Sequence, residues 1–119
     1  MKTILLVEDD KNQLLFYEQE LALEGYTIIT ARDGFEAVKK VQEKSPDLIV
    51  MDINMPRLNG IDAISKILNR GRKIPIIINT AYSSYKDNFM TLSADAYIIK
   101  SSDLTELKNK IKEFLSKPS

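Results

Sequence analysis

Short apolar runs, ILLV, LIVM, IPIII and AYII, recur along the chain with stretches of helical spacing between them, and this alternation restricts the fold more than any other feature. Runs so short and so rich in aliphatic and β-branched residues read as strands covered on both faces rather than as buried helices. Strands alternating with helices imply a parallel sheet with helices packed on both sides. Strands are expected near 3–8, 26–30, 47–52, 74–79 and 95–100, and helices near 11–24, 34–44, 58–70, 83–92 and 103–117. The second strand, Tyr26-Thr27-Ile28-Ile29-Thr30, mixes hydroxyls with apolar groups and belongs near an edge, leaving strands one, three and four in the centre. In the last helix Leu104, Leu107, Ile111, Phe114 and Leu115 form one packing stripe, with Ser102 and Asp103 as its expected cap.

Composition narrows the chemistry. At 119 residues the chain is the size of one domain, 1–119, with the end near Pro118 reading as a frayed tail or linker. Its 17 basic and 17 acidic side chains cancel, so no global field favours direct contact with nucleic acid or an anionic membrane. Without cysteine or histidine there are no disulfides, thiolate nucleophiles or imidazole bases, and nucleophilic chemistry falls to carboxylate, hydroxyl or amine. The opening MKTILLVEDD meets three acids after a brief apolar run, which is too short for a signal core or membrane span, and a cytoplasmic location is expected.

Each apolar run ends in polar residues. ILLV leads into Glu8, Asp9 and Asp10, DLIVM ends at Asp52 before the loop NMPRLNG, IPIII ends at Asn79 and Thr80, and AYII meets Lys100. Right-handed crossovers leave few windings. The order 2-1-3-4-5, adopted from known doubly wound sheets rather than forced by spacing, sets strands one and three side by side. Ligands of such sheets bind beyond the carboxyl ends of the strands, where these residues converge. Two unit charges about 4 Å apart repel by roughly 4 kcal/mol at an effective dielectric of about 20, so the carboxylates need a cation. Magnesium suits an oxygen-only site that uses one or two carboxylates and retains water, whereas calcium wants more oxygens and a dedicated loop. Asp9 and Asp52 are the candidate direct ligands, with Glu8 acting through water. Lys100 brings an ammonium to the same rim, Thr80 a hydroxyl, and Asp52 is the candidate nucleophile for forming an aspartyl-phosphate. Asp10 suits the cap of the first helix equally well.

With ILLVEDD, ARDGFEAV, PDLIVMDINMPRLNGID, IPIIINTA and ADAYIIK in place, the whole chain resembles a two-component receiver domain of flavodoxin-like fold, similar to free-standing chemotaxis-type regulators. The resemblance implies that Glu8 and Asp9 form the acidic pair and Asp52 the phosphoacceptor. It also implies that Asn54 lends its backbone carbonyl to magnesium, Thr80 is the switch hydroxyl, Tyr97 is the aromatic that follows it, and Lys100 is the family's lysine. Ala81 would leave access to the acceptor, and Tyr82 would flank the attacking water and slow its approach. A histidine kinase or histidine phosphotransfer protein would supply the phosphoryl group. A downstream protein would read the surface of the fourth helix, fifth strand and fifth helix, and a homodimer on phosphorylation is in keeping with the family.

One departure stands out. The family follows its lysine with a cis proline, whereas here Ser101 follows Lys100, and because a cis bond before a non-proline costs about 3 kcal/mol a trans peptide is expected. Competing readings are a receiver cut from a DNA-binding regulator or hybrid kinase, and a magnesium-dependent phosphatase working through an aspartyl-phosphate. The phosphatase pattern wants a second acid two residues after the nucleophile, where this chain has Asn54. A flavin or nucleotide module lacks its glycine-rich loop after strand one.

Overall fold

The computed structural model describes residues 1–52, 74–81 and 94–116. Five strands, β1 (Thr3–Val7), β2 (Thr27–Ala31), β3 (Leu48–Met51), β4 (Ile76–Thr80) and β5 (Ala96–Ile99), form one parallel sheet in the order β2-β1-β3-β4-β5. Its three central strands are the aliphatic runs, buried along nearly their whole length, while the edge strands β2 and β5 carry the partly exposed positions. This is the doubly wound, flavodoxin-like fold expected, with strand limits shifted by one or two residues.

Alternation along each strand sends neighbours to opposite faces. Leu5, Val7, Ile49, Met51, Ile76 and Ile78 pack on α2 (Gly34–Lys44) through Ala37 and Val41. Ile4, Leu6, Leu48, Val50 and Ile77 pack on α1 (Lys11–Leu23) and on α3 (Thr105–Leu115), the last of the predicted helices. The predicted helices near 58–70 and 83–92 lie outside the described residues. Among the described residues no helix is long and apolar enough to cross a membrane.

Side chains order the local turns. Asp10 caps α1 by accepting from the Asn12 and Gln13 N–H groups, and Asp33 caps α2 by accepting from Glu36. Gly25, at φ +95, turns the chain from α1 into β2 in a conformation that only glycine adopts cheaply. The expected cap of α3 is corrected. Leu104 occupies the cap position, because its side chain is buried in the α1-side core, and the helix begins at Thr105. Asp103 still accepts from the Thr105 N–H and hydroxyl, whereas Ser101 Oγ, not Ser102, bonds the Asp103 N–H. Leu107 and Ile111 are fully buried, and Phe114 and Leu115 are partly so, as the stripe implied.

At the amino ends of the strands two carboxylates that the sequence did not single out tie neighbours together. Asp47 accepts from the Thr3 N–H at 2.7 Å, and Asp95 accepts from the Ile76 N–H at 2.9 Å.

Candidate functional site

The parallel ladder runs one bond past the strands, and those extra bonds hold the polar residues in place. The Glu8 N–H donates to the Ala31 carbonyl at 3.0 Å, Asp52 to Val7 at 2.9 Å, and Lys100 to Thr80 at 2.7 Å. Each of the three backbones is thereby fixed to the strand beside it. Glu8, Asp52 and Thr80 are buried, an arrangement that the chain tolerates only because their polar atoms are engaged.

Glu8, Asp9 and Asp52 each present a carboxylate oxygen within 4.8 Å of the others, a group able to hold a metal ion. Glu8 and Asp52 are enclosed and Asp9 is the most open of the three. The Asp9 carbonyl accepts from the Arg32 guanidinium at 3.4 Å, and Asp10 is turned away into its helix cap while its N–H donates to Glu8 Oε2 at 3.2 Å.

Lys100 closes the cluster from β5. Its ammonium donates to Asp52 Oδ2 at 2.9 Å and also to Glu8 Oε1 and to Gln13 Oε1. The lysine–Asp52 pair was legible in the sequence. The Glu8 contact was not, because nothing in the spacing says which of the acids after β1 points inward. Gln13 was missed altogether, and its only sequence signal is its place in the first turn of the helix following the acids.

Electrostatics follow from burial and pairing. Burial pushes the Glu8 carboxyl up to about 7, opposed by its hydrogen bond to Lys100 and reinforced by the charge of Asp52. For Lys100 burial acts downward, but hydrogen bonds to Glu8 and Asp52, and the charges of both, outweigh it and raise the ammonium above its ordinary value. The lysine therefore stays charged and provides the positive partner that two close carboxylates require.

Thr80 ends β4 and is fully buried, Ala81 beyond it is exposed, and Tyr97 lies partly buried against the α2-side core opposite Ile78. Asn54 and Tyr82 lie outside the described residues. No cis peptide occurs among the described residues, so the Lys100–Ser101 bond is trans, as expected without proline.

Comparison with known proteins agrees with this fold. The response regulator receiver domain family matches residues 4–112. The transcriptional regulatory protein PrrA of Mycobacterium tuberculosis is 37% identical over 114 residues, covering 94% of this chain and 49% of PrrA. The chain spans about half the length of the curated relatives it matches. Among solved structures, the response regulator TrrA of Thermotoga maritima in complex with Mg(2+)-BeF superposes with a TM-score of 0.90 at 39% identity, covering 96% of this chain and 99% of TrrA. TrrA in complex with the histidine kinase ThkA superposes with a TM-score of 0.89 at 40% identity, covering 98% of this chain and 100% of that one.

Proposed function

The chain belongs to the response regulator receiver domain family of two-component systems, and from that premise we propose that it is a phosphorylation-activated switch with Asp52 as phosphoacceptor and 1–119 as one receiver unit. The observation that carries this reading is the Lys100 ammonium bound to both Asp52 and Glu8 beside Asp9, at the carboxyl ends of the central strands.

An all-oxygen donor set with Asp9 open to solvent fits magnesium, which binds through few carboxylates and keeps its waters. Glu8, Asp9 and Asp52 would hold it together with the carbonyl of Asn54, and the complex of TrrA with Mg(2+)-BeF supports the same ion here. When bound, magnesium supplies positive charge against the phosphoryl oxygens.

The 119 residues contain no histidine, and the TrrA–ThkA complex supports a histidine kinase as the phosphoryl donor. An Asp52 oxygen attacks the phosphorus of the donor's phosphohistidine. The new O–P bond forms as the P–N bond breaks, and the electron pair leaves with the imidazole. Lys100 passes a hydrogen bond from the Asp52 carboxylate to a phosphoryl oxygen, and the Thr80 hydroxyl donates to another. Ala81 keeps the approach open and Tyr82 slows the water that would hydrolyse the product. The phosphoryl group adds about one and a half to two negative charges; drawing Thr80 inward, with Tyr97 following, it biases the surface around β5 toward a state recognised by a downstream protein. The only chemistry is the chain's own phosphorylation and slow autodephosphorylation.

Intact mass of wild type and Asp52→Asn after incubation with acetyl phosphate, with and without magnesium, tests the proposal. One magnesium-dependent phosphoryl adduct is expected, absent from the variant. Its absence from the folded wild type, or its persistence in Asp52→Asn, removes the assigned nucleophile.

A further inference from the structure

An ammonium has three protons to donate and accepts none, so the Gln13 amide must turn its oxygen toward Lys100. Glu8, Asp52 and Gln13 together saturate the lysine's three donors. Gln13 reaches the site from the first turn of α1, where its own N–H is held by the Asp10 cap at 3.2 Å and its side chain is half-buried. The backbone that carries the amide is therefore held by a contact separate from the one its side chain makes.

The three acceptors are not equivalent. Glu8 and Asp52 belong to the carboxylate group able to hold a cation, and Asp52 is also the proposed phosphoacceptor, so the lone pairs of both are claimed elsewhere during transfer. Gln13 is uncharged and stands outside that group. Resting on the receiver reading above, we infer that Gln13 is a positioning residue for Lys100, holding the ammonium over Asp52 while both carboxylates are otherwise engaged. A lysine stem loses considerable rotamer freedom when ordered, and an acceptor that stays in place through the reaction keeps that ordering in force when the phosphoryl group arrives. Gln13 acts through the lysine and not on the reacting atoms. It also joins α1 directly to the segment after β5, beside a second link in which Lys108 of α3 pairs with Glu20 of α1 at 3.1 Å.

The test compares the full chain as wild type, Gln13→Met and Gln13→Glu. Methionine keeps the length and helix preference of glutamine but offers no comparable acceptor, whereas glutamate retains one. The first readout is the proton–nitrogen signal of the Lys100 ammonium, which requires no phosphoryl donor. Protected from exchange by its bonds, it is expected in wild type and Gln13→Glu and lost in Gln13→Met. The second sets the rate of phosphorylation by acetyl phosphate against magnesium affinity measured by calorimetry. Gln13→Met is expected to be about tenfold slower, the scale of a lost hydrogen bond to a charged group, with magnesium affinity and melting temperature unchanged. A wild-type rate with a surviving lysine signal in Gln13→Met overturns the assignment. So does a loss of rate that merely tracks lost stability or magnesium binding. If wild type takes up no phosphoryl group, the receiver function falls while the lysine signal still decides the Gln13 contact.

Discussion

Glu8 shows how far the environment of one residue can depart from its place in the sequence. Buried at the end of β1, its carboxyl sits at about 7 because desolvation outweighs the help of Lys100. The folded state thus holds this proton more tightly than the unfolded chain. On this account stability declines as pH rises from the ordinary carboxylate value of 4.5 through about 7, the reverse of a salt-bridged acid with a depressed pKa. A cation needs the ionised carboxylate, so magnesium affinity should rise over the same window with release of a proton. Calorimetry at about pH 6 in buffers of different ionisation enthalpy should detect that proton for wild type and not for Glu8→Gln; equal release from both would exclude Glu8 as its source. Removing the lysine's hydrogen bond and charge in Lys100→Met should move the Glu8 titration to still higher pH, read from its side-chain carbon resonance. An unmoved titration would mean that the short ion pair does not persist in solution.

Among the elements, α1 depends on tertiary support more than its neighbours do. It exposes Leu15, Phe16 and Leu23 while burying Leu14, Tyr17 and Leu21, so apolar residues encircle it and no single stripe tells the chain which side faces the sheet. Its start is set by Asp10, and Asp10→Ala should cost about 1 kcal/mol in denaturant unfolding. The helix α3 has one clear buried face instead. Ile111→Ala should cost about 2–4 kcal/mol, while Glu106→Ala on the outer side should change stability by no more than about 0.5 kcal/mol. Similar losses for both would contradict the packing described. The cap of this helix also shows one rule yielding to another. Side-chain preference favoured Ser102 and Asp103, but burying Leu104 in the core drew that residue into the cap position and moved the helix start to Thr105.

For the whole molecule, a ligand that binds only the assembled site must stabilise the fold through linkage. Magnesium with beryllofluoride should therefore raise the melting temperature of wild type by several degrees and leave Asp52→Asn nearly unmoved; an equal shift in both would place binding elsewhere. The fold was legible because β-branched runs and helical spacing are local signals, and a chain with this alternation has few right-handed ways to bury them. The polar residues at the strand ends, Asp52 above all, were visible for the same reason, since charge that terminates an apolar run stands out in one dimension. Which of those residues face one another is a property of strand order and register. The order placing β1 beside β3 came from likeness to known sheets, and only the folded sheet sets Glu8 under Lys100 and brings Gln13 across from α1, whereas the Asp10 cap, a contact between near neighbours, was legible in the sequence. The sequence by itself determined the described strands and helices, the parallel sheet and the candidate residues at the strand ends, because each rests on near neighbours along the chain. Tertiary structure alone decided that Lys100 also binds Glu8 and Gln13 and that Glu8 holds its proton, because hydrogen bonds spanning 92 and 87 residues and the desolvation of a buried carboxylate arise only when distant segments meet.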